Sequence, residues 1–165
     1  MSNPIKPTPK TEIIPILALI SAAIASVYFF IHLPAEIPTH WNFQGEIDDY
    51  SSKNGVVFGM MAVLLAMYVL FLVLPGIDPK KEKYRQFQKV YHVFKAVFIS
   101  FFTILYLAVG LNGLGYQVPI QAITITGVSL LFIMIGNYMG KLRSNWFVGI
   151  KTPWTLSSEK VWNQT

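Results

Sequence analysis

The residues of this 165-residue chain whose types and spacing could do chemistry fall in three places. The first is a run from Leu33 to Lys53, dense in proline, aromatic, amide and carboxylate side chains, which holds His40, Trp41, Asn42, Gly45 and Asp48. Gly45 permits a tight turn, so His40, Asn42 and Asp48 can converge across it to capture a ligand by hydrogen bonds. A single His among carboxylates lacks the second nitrogen ligand of a typical metal centre, and a hydrogen-bond network that closes the loop uses the same side chains. The run supplies neither a positioned serine–histidine pair nor an arguable two-carboxylate geometry, so a non-enzymatic role without metal or cofactor is expected. The second place is the stretch from Asn137 to Trp162, which contains Arg143, Asn145, Gly149, Lys151, Thr152, Pro153, Trp154 and Trp162. Interfacial anchoring uses Trp with Lys or Arg but does not require this order of residues. The Lys151-Thr152-Pro153-Trp154 turn joins a cation, a rigid proline and a large aromatic, the ingredients of a protein-binding hot spot. The third place is the pair His92 and Lys95, which enters an apolar run near its end and reads as a snorkelling anchor beside an interfacial residue. No apolar run carries a carboxylate at mid-depth and none shows paired unwound helices, which argues against an ion-coupled transporter or proton relay.

The elements that must position these groups are four apolar stretches, Ile13 to Leu33, Gly55 to Leu74, Tyr91 to Leu111 and Val118 to Met139. At 1.5 Å of helical rise per residue, about 20 apolar residues cover a hydrocarbon core. Of the 13 Lys and Arg, Lys6 and Lys10 precede the first stretch, Lys80, Lys81, Lys83, Arg85 and Lys89 follow the second, and Lys141, Arg143, Lys151 and Lys160 follow the fourth. The loop after the first carries Glu36, Glu46, Asp48 and Asp49 against Lys53, and the loop after the third is uncharged. The expected fold is therefore all-α, a polytopic transmembrane helical bundle of four spans with both termini cytoplasmic. It divides into a flexible head (1–12), two spans with the outer loop and a basic loop (13–89), and two spans with the tail (90–165). Lys6, Lys10 and Ala23-Ile24-Ala25 also fit a cleaved signal peptide, but Val27 to Ile31 continues the apolar run past that site, so the span is expected to stay.

With 53% hydrophobic and 13% charged residues, the chain has too little charge to cover a soluble surface of its size, and the bilayer is its first partner. The net charge of +5 comes from residues flanking spans, which excludes nucleic acid as the expected direct partner. The chain has no Cys, so disulfides and thiolate chemistry are absent. Locally, Asp78 with Pro79 is expected to cap one unbroken helix running into the third span, with Tyr84, Phe87, Tyr91, Phe94 and Phe98 as a packing stripe. Small residues four apart, Gly55 with Gly59, Ser21 with Ala25 and Gly136 with Gly140, are expected to let helices approach closely. Ser157 is expected to cap a short helix over Glu159 to Trp162.

The tail resembles that of the SdpI-type immunity proteins of Gram-positive bacteria, through Asn137, Gly140, Lys141, Asn145, Trp146, Gly149, Ile150, Lys151, Thr152, Pro153, Trp154, Thr155, Leu156 and Trp162. The outer loop resembles a domain of unknown function associated with that family at its N-terminal side, through Pro38, His40, Trp41, Asn42, Gly45 and Asp48. The resemblance implies a multi-span protein that protects a cell from a secreted killing peptide, the toxin partner meeting the outer loop. In the family's best-known member it also implies sequestration of a cytoplasmic repressor, and the tail is read as the part that meets such a regulator. Family members continue beyond such a tail with a His and further spans. Ending at Thr165 leaves open a cut-back chain, a shortened homologue or a diverged member. The rival readings are a transport or permease-accessory protein and a membrane enzyme with its site in the outer loop.

Overall fold

The computed structural model of the chain describes residues 3–165, and it is mostly helical. Four helices are long and apolar enough to cross a membrane: α1 (Pro9–His32), α2 (Lys53–Ile77), α3 (Tyr84–Gly113) and α4 (Ile120–Met139). Between the first two lies an antiparallel hairpin of β1 (Glu36–Trp41) and β2 (Ile47–Ser52), so the expected all-helical bundle carries a two-stranded cap at one end. At the other end, α5 (Pro153–Ser157) and α6 (Glu159–Gln164) close the tail. Apolar runs of this length become helices because a lipid-facing backbone must bond all its polar groups within one segment. Their outward faces stay apolar: Leu17, Ile24 and Ile31 of α1 and Leu130, Phe132 and Ile133 of α4 are exposed from the bundle, as lipid-facing side chains are.

Helices α1, α2 and α3 pack mutually, whereas α4 makes its substantial packing against α3. One buried cluster at the hairpin end gathers Ala22, Phe29, Leu33, Ile37, Val57, Leu64 and Tyr106. A second at the tail end gathers Ile5, Tyr84, Phe87, Tyr91, Phe94, Leu142 and Trp162. The aromatic stripe therefore does pack, and it joins the tail to the spans. The third helix is not unbroken, however. Asp78 ends α2 instead of opening α3, accepts the Lys80 N–H at 2.7 Å, and starts a 3-10 turn over Lys81–Lys83. Phe87 then leaves helical geometry at φ −124°, ψ 21°, kinking α3 where its ring turns into the tail cluster. The short-range signal for a cap was real, but the carboxylate is spent on that turn and on long-range partners described below. Ser158 rather than Ser157 caps α6, accepting from the Val161 N–H.

The glycine pairs are not where helices meet, whereas Ala25 of the Ser21–Ala25 pair packs against the hairpin-end cluster. A Cβ added at Gly59, Gly136 or Gly140 would touch nothing, because those positions face outward or into an open cleft. Close approaches are instead at Gly110 of α3, where an added Cβ would overlap the Phe29 ring, and at Gly127 of α4, where it would overlap the Phe101 ring. A ring from a neighbouring helix fills each space, so a four-residue spacing on one helix carried no signal for it. The head also differs from a free arm: Ile5 is buried in the tail-end cluster, and Asn3 donates to the Leu72 carbonyl at 2.7 Å.

Candidate functional site

The hairpin is built around its turn. Gly45 takes φ +82°, and the Asn42 side-chain oxygen accepts from the Gln44 and Glu46 N–H groups at 3.0 and 2.9 Å. The Asn42 amide nitrogen donates to Glu46 at 3.1 Å, so Asn42 is occupied with holding the turn. The ladder is irregular between Pro38 and Trp41, as a bulge requires. Across it, His40 Nδ1 meets Asp48 Oδ1 at 2.5 Å on the exposed face. The structure thus brings His40 to Asp48, and Asn42 to Gly45, as two adjacent units instead of one three-residue cluster. Among the described residues no group of three or more His, Asp or Glu gathers as for a metal ion.

The hairpin is fastened to the bundle. Ile37 is fully buried beneath it, the Lys53 N–H donates to the Ala35 carbonyl at 2.8 Å, and Gln121 at the start of α4 donates to the Phe43 carbonyl at 2.6 Å. Beneath this roof lies a cleft of about 1010 Å³, bounded by Trp41 and Phe43 above, Gly59 and Met60 of α2, Phe102 of α3, and Thr124 and Ile125 of α4. Its lining is mostly apolar with a few polar side chains, the usual make-up of a small-molecule or peptide site. Reading one segment at a time missed this cleft, since its walls come from four elements.

At the opposite end the tail is folded around Asn145, which is fully buried. Its oxygen accepts from the Phe147 and Val148 N–H groups at 2.9 and 2.7 Å, and its nitrogen donates to the Arg143 and Val148 carbonyls, both at 2.8 Å. Asp78 reaches the same knot: its Oδ2 accepts from the Tyr84 hydroxyl and from the Trp146 N–H, each at 2.9 Å. Lys80 donates to Ser144 at 2.7 Å and to the Leu156 carbonyl at 3.2 Å. Gly149 has φ +121°, and a Cβ there would press on the Trp162 ring at 3.0 Å. Trp162 itself is buried and donates its indole N–H to the Leu142 carbonyl at 3.0 Å. Thr152 caps α5 in a reciprocal pair with Thr155, with Pro153 in the first turn. Asn145, Gly149, Thr152, Pro153 and Trp162 therefore shape the tail. Trp154 is 71% exposed on its surface, Lys151 and Arg143 are also exposed, and Asn137 is exposed on α4, bonding its own helix at the Ile133 carbonyl.

A third arrangement was not foreseen. Lys95 does not snorkel: it is 1% exposed and forms an ion pair with Glu12 of α1. Glu12 also accepts from the Tyr68 hydroxyl at 2.9 Å and from Thr11 at 3.0 Å, so three helices share one buried charge pair. One turn away, the buried Nδ1 of His92 has no hydrogen-bond partner among the described residues. Glu12 was hidden from sequence reading because it sits outside the apolar run, 83 residues from its cation.

Comparison with known proteins follows the same two ends. Residues 16–65, covering most of α1, the hairpin and half of α2, match a domain of unknown function, DUF1648. Residues 141–165, the tail, match the SdpI/YfhL protein family. Over 153 residues the chain is 31% identical to "Immunity protein SdpI" of Bacillus subtilis (strain 168), covering 93% of this chain and 71% of that protein. No solved structure matches it.

Proposed function

The chain belongs to the SdpI/YfhL protein family and is a multi-pass protein of the cell membrane, and from that premise we propose that it gives its host immunity to a secreted killing peptide, without catalysing a reaction. The observation that carries this reading is the 31% identity extending over 93% of the chain to a protein named for immunity, so that hairpin, spans and tail are all included. In this reading the basic segments beside Lys6, Lys80 and Lys141 face the cytoplasm, which puts the hairpin outside, where a secreted peptide arrives. His40 and Asp48, with Trp41 beside the cleft, form the side that meets the toxin, on a turn shaped by Asn42 and Gly45. The tail carries a second, cytoplasmic role: capture of a regulator such as a repressor, through Trp154, Lys151, Arg143 and Asn137, on a surface shaped by Asn145, Gly149, Thr152, Pro153 and Trp162. A rigid scaffold holding an exposed Trp and cations is what a protein-binding hot spot needs.

Expression of the chain in a strain killed by such a peptide, scored for survival against an empty vector, tests the immunity reading. Survival well above the vector control is expected, and killing equal to the control at normal membrane levels refutes it.

A further inference from the structure

Building on the immunity reading, we propose that the cleft beneath the hairpin seats the apolar helix of a membrane-bound peptide whose outward end is basic. The cleft lies where α4, packed substantially only on α3, leaves a gap toward α2. Into that gap α2 presents Gly55 and Gly59, a small-x-x-x-small face that lets a second helix backbone come close. Among the described residues no side chain covers Gly59: nothing stands within 4 Å of a Cβ built there. Met60 and Phe102 line the seat, and an unbranched thioether adapts to an incoming surface.

Charge selects the occupant. The hairpin segment above the cleft carries Glu36, Glu46, Asp48 and Asp49 against Lys53, four carboxylates to one ammonium, and the Leu114 to Pro119 segment beside it has no charge. Asp49 and Glu36 make no ion pair among the described residues, and both are exposed. None of these carboxylates lines the cleft; the hairpin that roofs it carries them, and such a roof attracts and orients a cationic end. A phospholipid fills apolar space equally well, but the phosphate of an anionic lipid is repelled by the roof and a zwitterionic headgroup brings one cation tied to a phosphate, whereas a basic peptide end brings several cations and no anion. The combination of a helix-approach face and an acidic roof therefore favours a peptide with an apolar helix and basic end over a lipid.

The test uses the full chain in phosphatidylcholine vesicles. The probe is a fluorescent synthetic helix of about 20 Leu and Ala residues ending in lysines, with a companion ending in glutamates. Gly59→Trp fills the cleft from an open position, and Gly136→Trp adds the same ring at an equally open position on the lipid-facing side of α4. The lysine-ended probe is expected to bind wild type and Gly136→Trp alike, to bind Gly59→Trp about tenfold or more weakly, and to outcompete the glutamate-ended probe by a similar factor. Equal binding to all three proteins overturns the proposal, as does equal binding of the two probes. A spin-labelled lipid that stays immobilised on the protein at saturating probe overturns it in favour of a lipid seat. Survival separates the two readings: a Gly59→Trp chain that loses the probe but protects fully removes the cleft from immunity and leaves immunity standing. A wild-type chain that binds the probe and protects nothing refutes immunity and leaves the cleft.

Discussion

Replacing Lys95 by Met removes the cation from a pair that three helices enclose, and leaves the Glu12 carboxylate with two hydroxyl donors, Tyr68 and Thr11. Glu12 is 7% exposed, so water cannot take over from the lost ammonium. Removing one partner of a buried pair costs about 3–5 kcal/mol. Two hydroxyls remain, and Glu12 lies in the first turn of α1, where the helix dipole favours a carboxylate by about 0.3–1 kcal/mol. The expected loss therefore lies near the lower bound, about 3 kcal/mol. Glu12→Gln leaves Lys95 buried without an anion, and the same bound applies. The double variant, Glu12→Gln with Lys95→Met, buries no charge and keeps an amide oxygen for Tyr68, so it is expected to recover most of the deficit, as buried pairs replaced together often do. At about 2–4 °C per kcal/mol for a chain of this size, each single variant should melt about 6–12 °C lower and the double within a few degrees of wild type. The measurement is thermal unfolding in one detergent, followed by the loss of the monodisperse elution peak. Deficits that add in the double variant, or single variants that melt with wild type, refute the idea that this pair joins the helices.

Further outcomes follow from the two ends of the bundle. Because the chain has no Cys, Asp48→Cys on intact cells is expected to react with an impermeant thiol reagent and Lys81→Cys is not; the reverse pattern inverts the orientation. His40 and Asp48 are exposed, and an exposed pair contributes little to stability, so His40→Ala and Asp48→Asn should keep wild-type membrane levels while protection falls. Loss of protein from the membrane in both would make the pair purely structural. Asn145→Ala strips a buried knot of its donors and acceptors and is expected to cost about 1–3 kcal/mol and to expose the tail to a protease added from the cytoplasmic side. Trp154→Ala should leave that protease pattern unchanged but lower capture of a cytoplasmic partner, with Trp154→Phe in between. Parallel loss of protein, survival and capture in Trp154→Ala would reduce Trp154 to an anchor.

The spans were readable because lipid imposes one requirement, about 20 apolar residues satisfied within a helix, which composition records directly. Their ends moved by a few residues: α1 starts at Pro9, where Thr8 and Thr11 cap each other, ahead of the apolar run. The aromatic stripe was also readable, since Tyr84, Phe87, Tyr91 and Phe94 recur at helical spacing and are buried. What stayed hidden depends on partners far apart in the chain. The Asp78 carboxylate reads as a local cap, yet it bonds Trp146 across 68 residues. Lys95 reads as an anchor until Glu12 is placed beside it. In the hairpin, the residue types announced a hydrogen-bonded turn, but not that Asn42 would serve Gly45 while His40 turned to Asp48. The bulge between Pro38 and Trp41 decides that division, and a register shift leaves little trace in composition.

The four spans are unequal in length, and a bilayer acts on that inequality. At 1.5 Å per residue, α4 with its 20 residues is about 30 Å long, a match for an average hydrocarbon core, whereas α2 with 25 is about 37 Å long, enough to span with some tilt. The cleft under the hairpin lies between these two helices, so a change in the tilt of one relative to the other changes its width. Hydrophobic mismatch thus becomes a setting for the width of that opening: a thinner bilayer is expected to tilt α2 further and spread it, a thicker one to draw α2 upright and narrow it. A protein whose partner acts on the membrane itself would then feel a thinned bilayer through the same gap that faces the attacker.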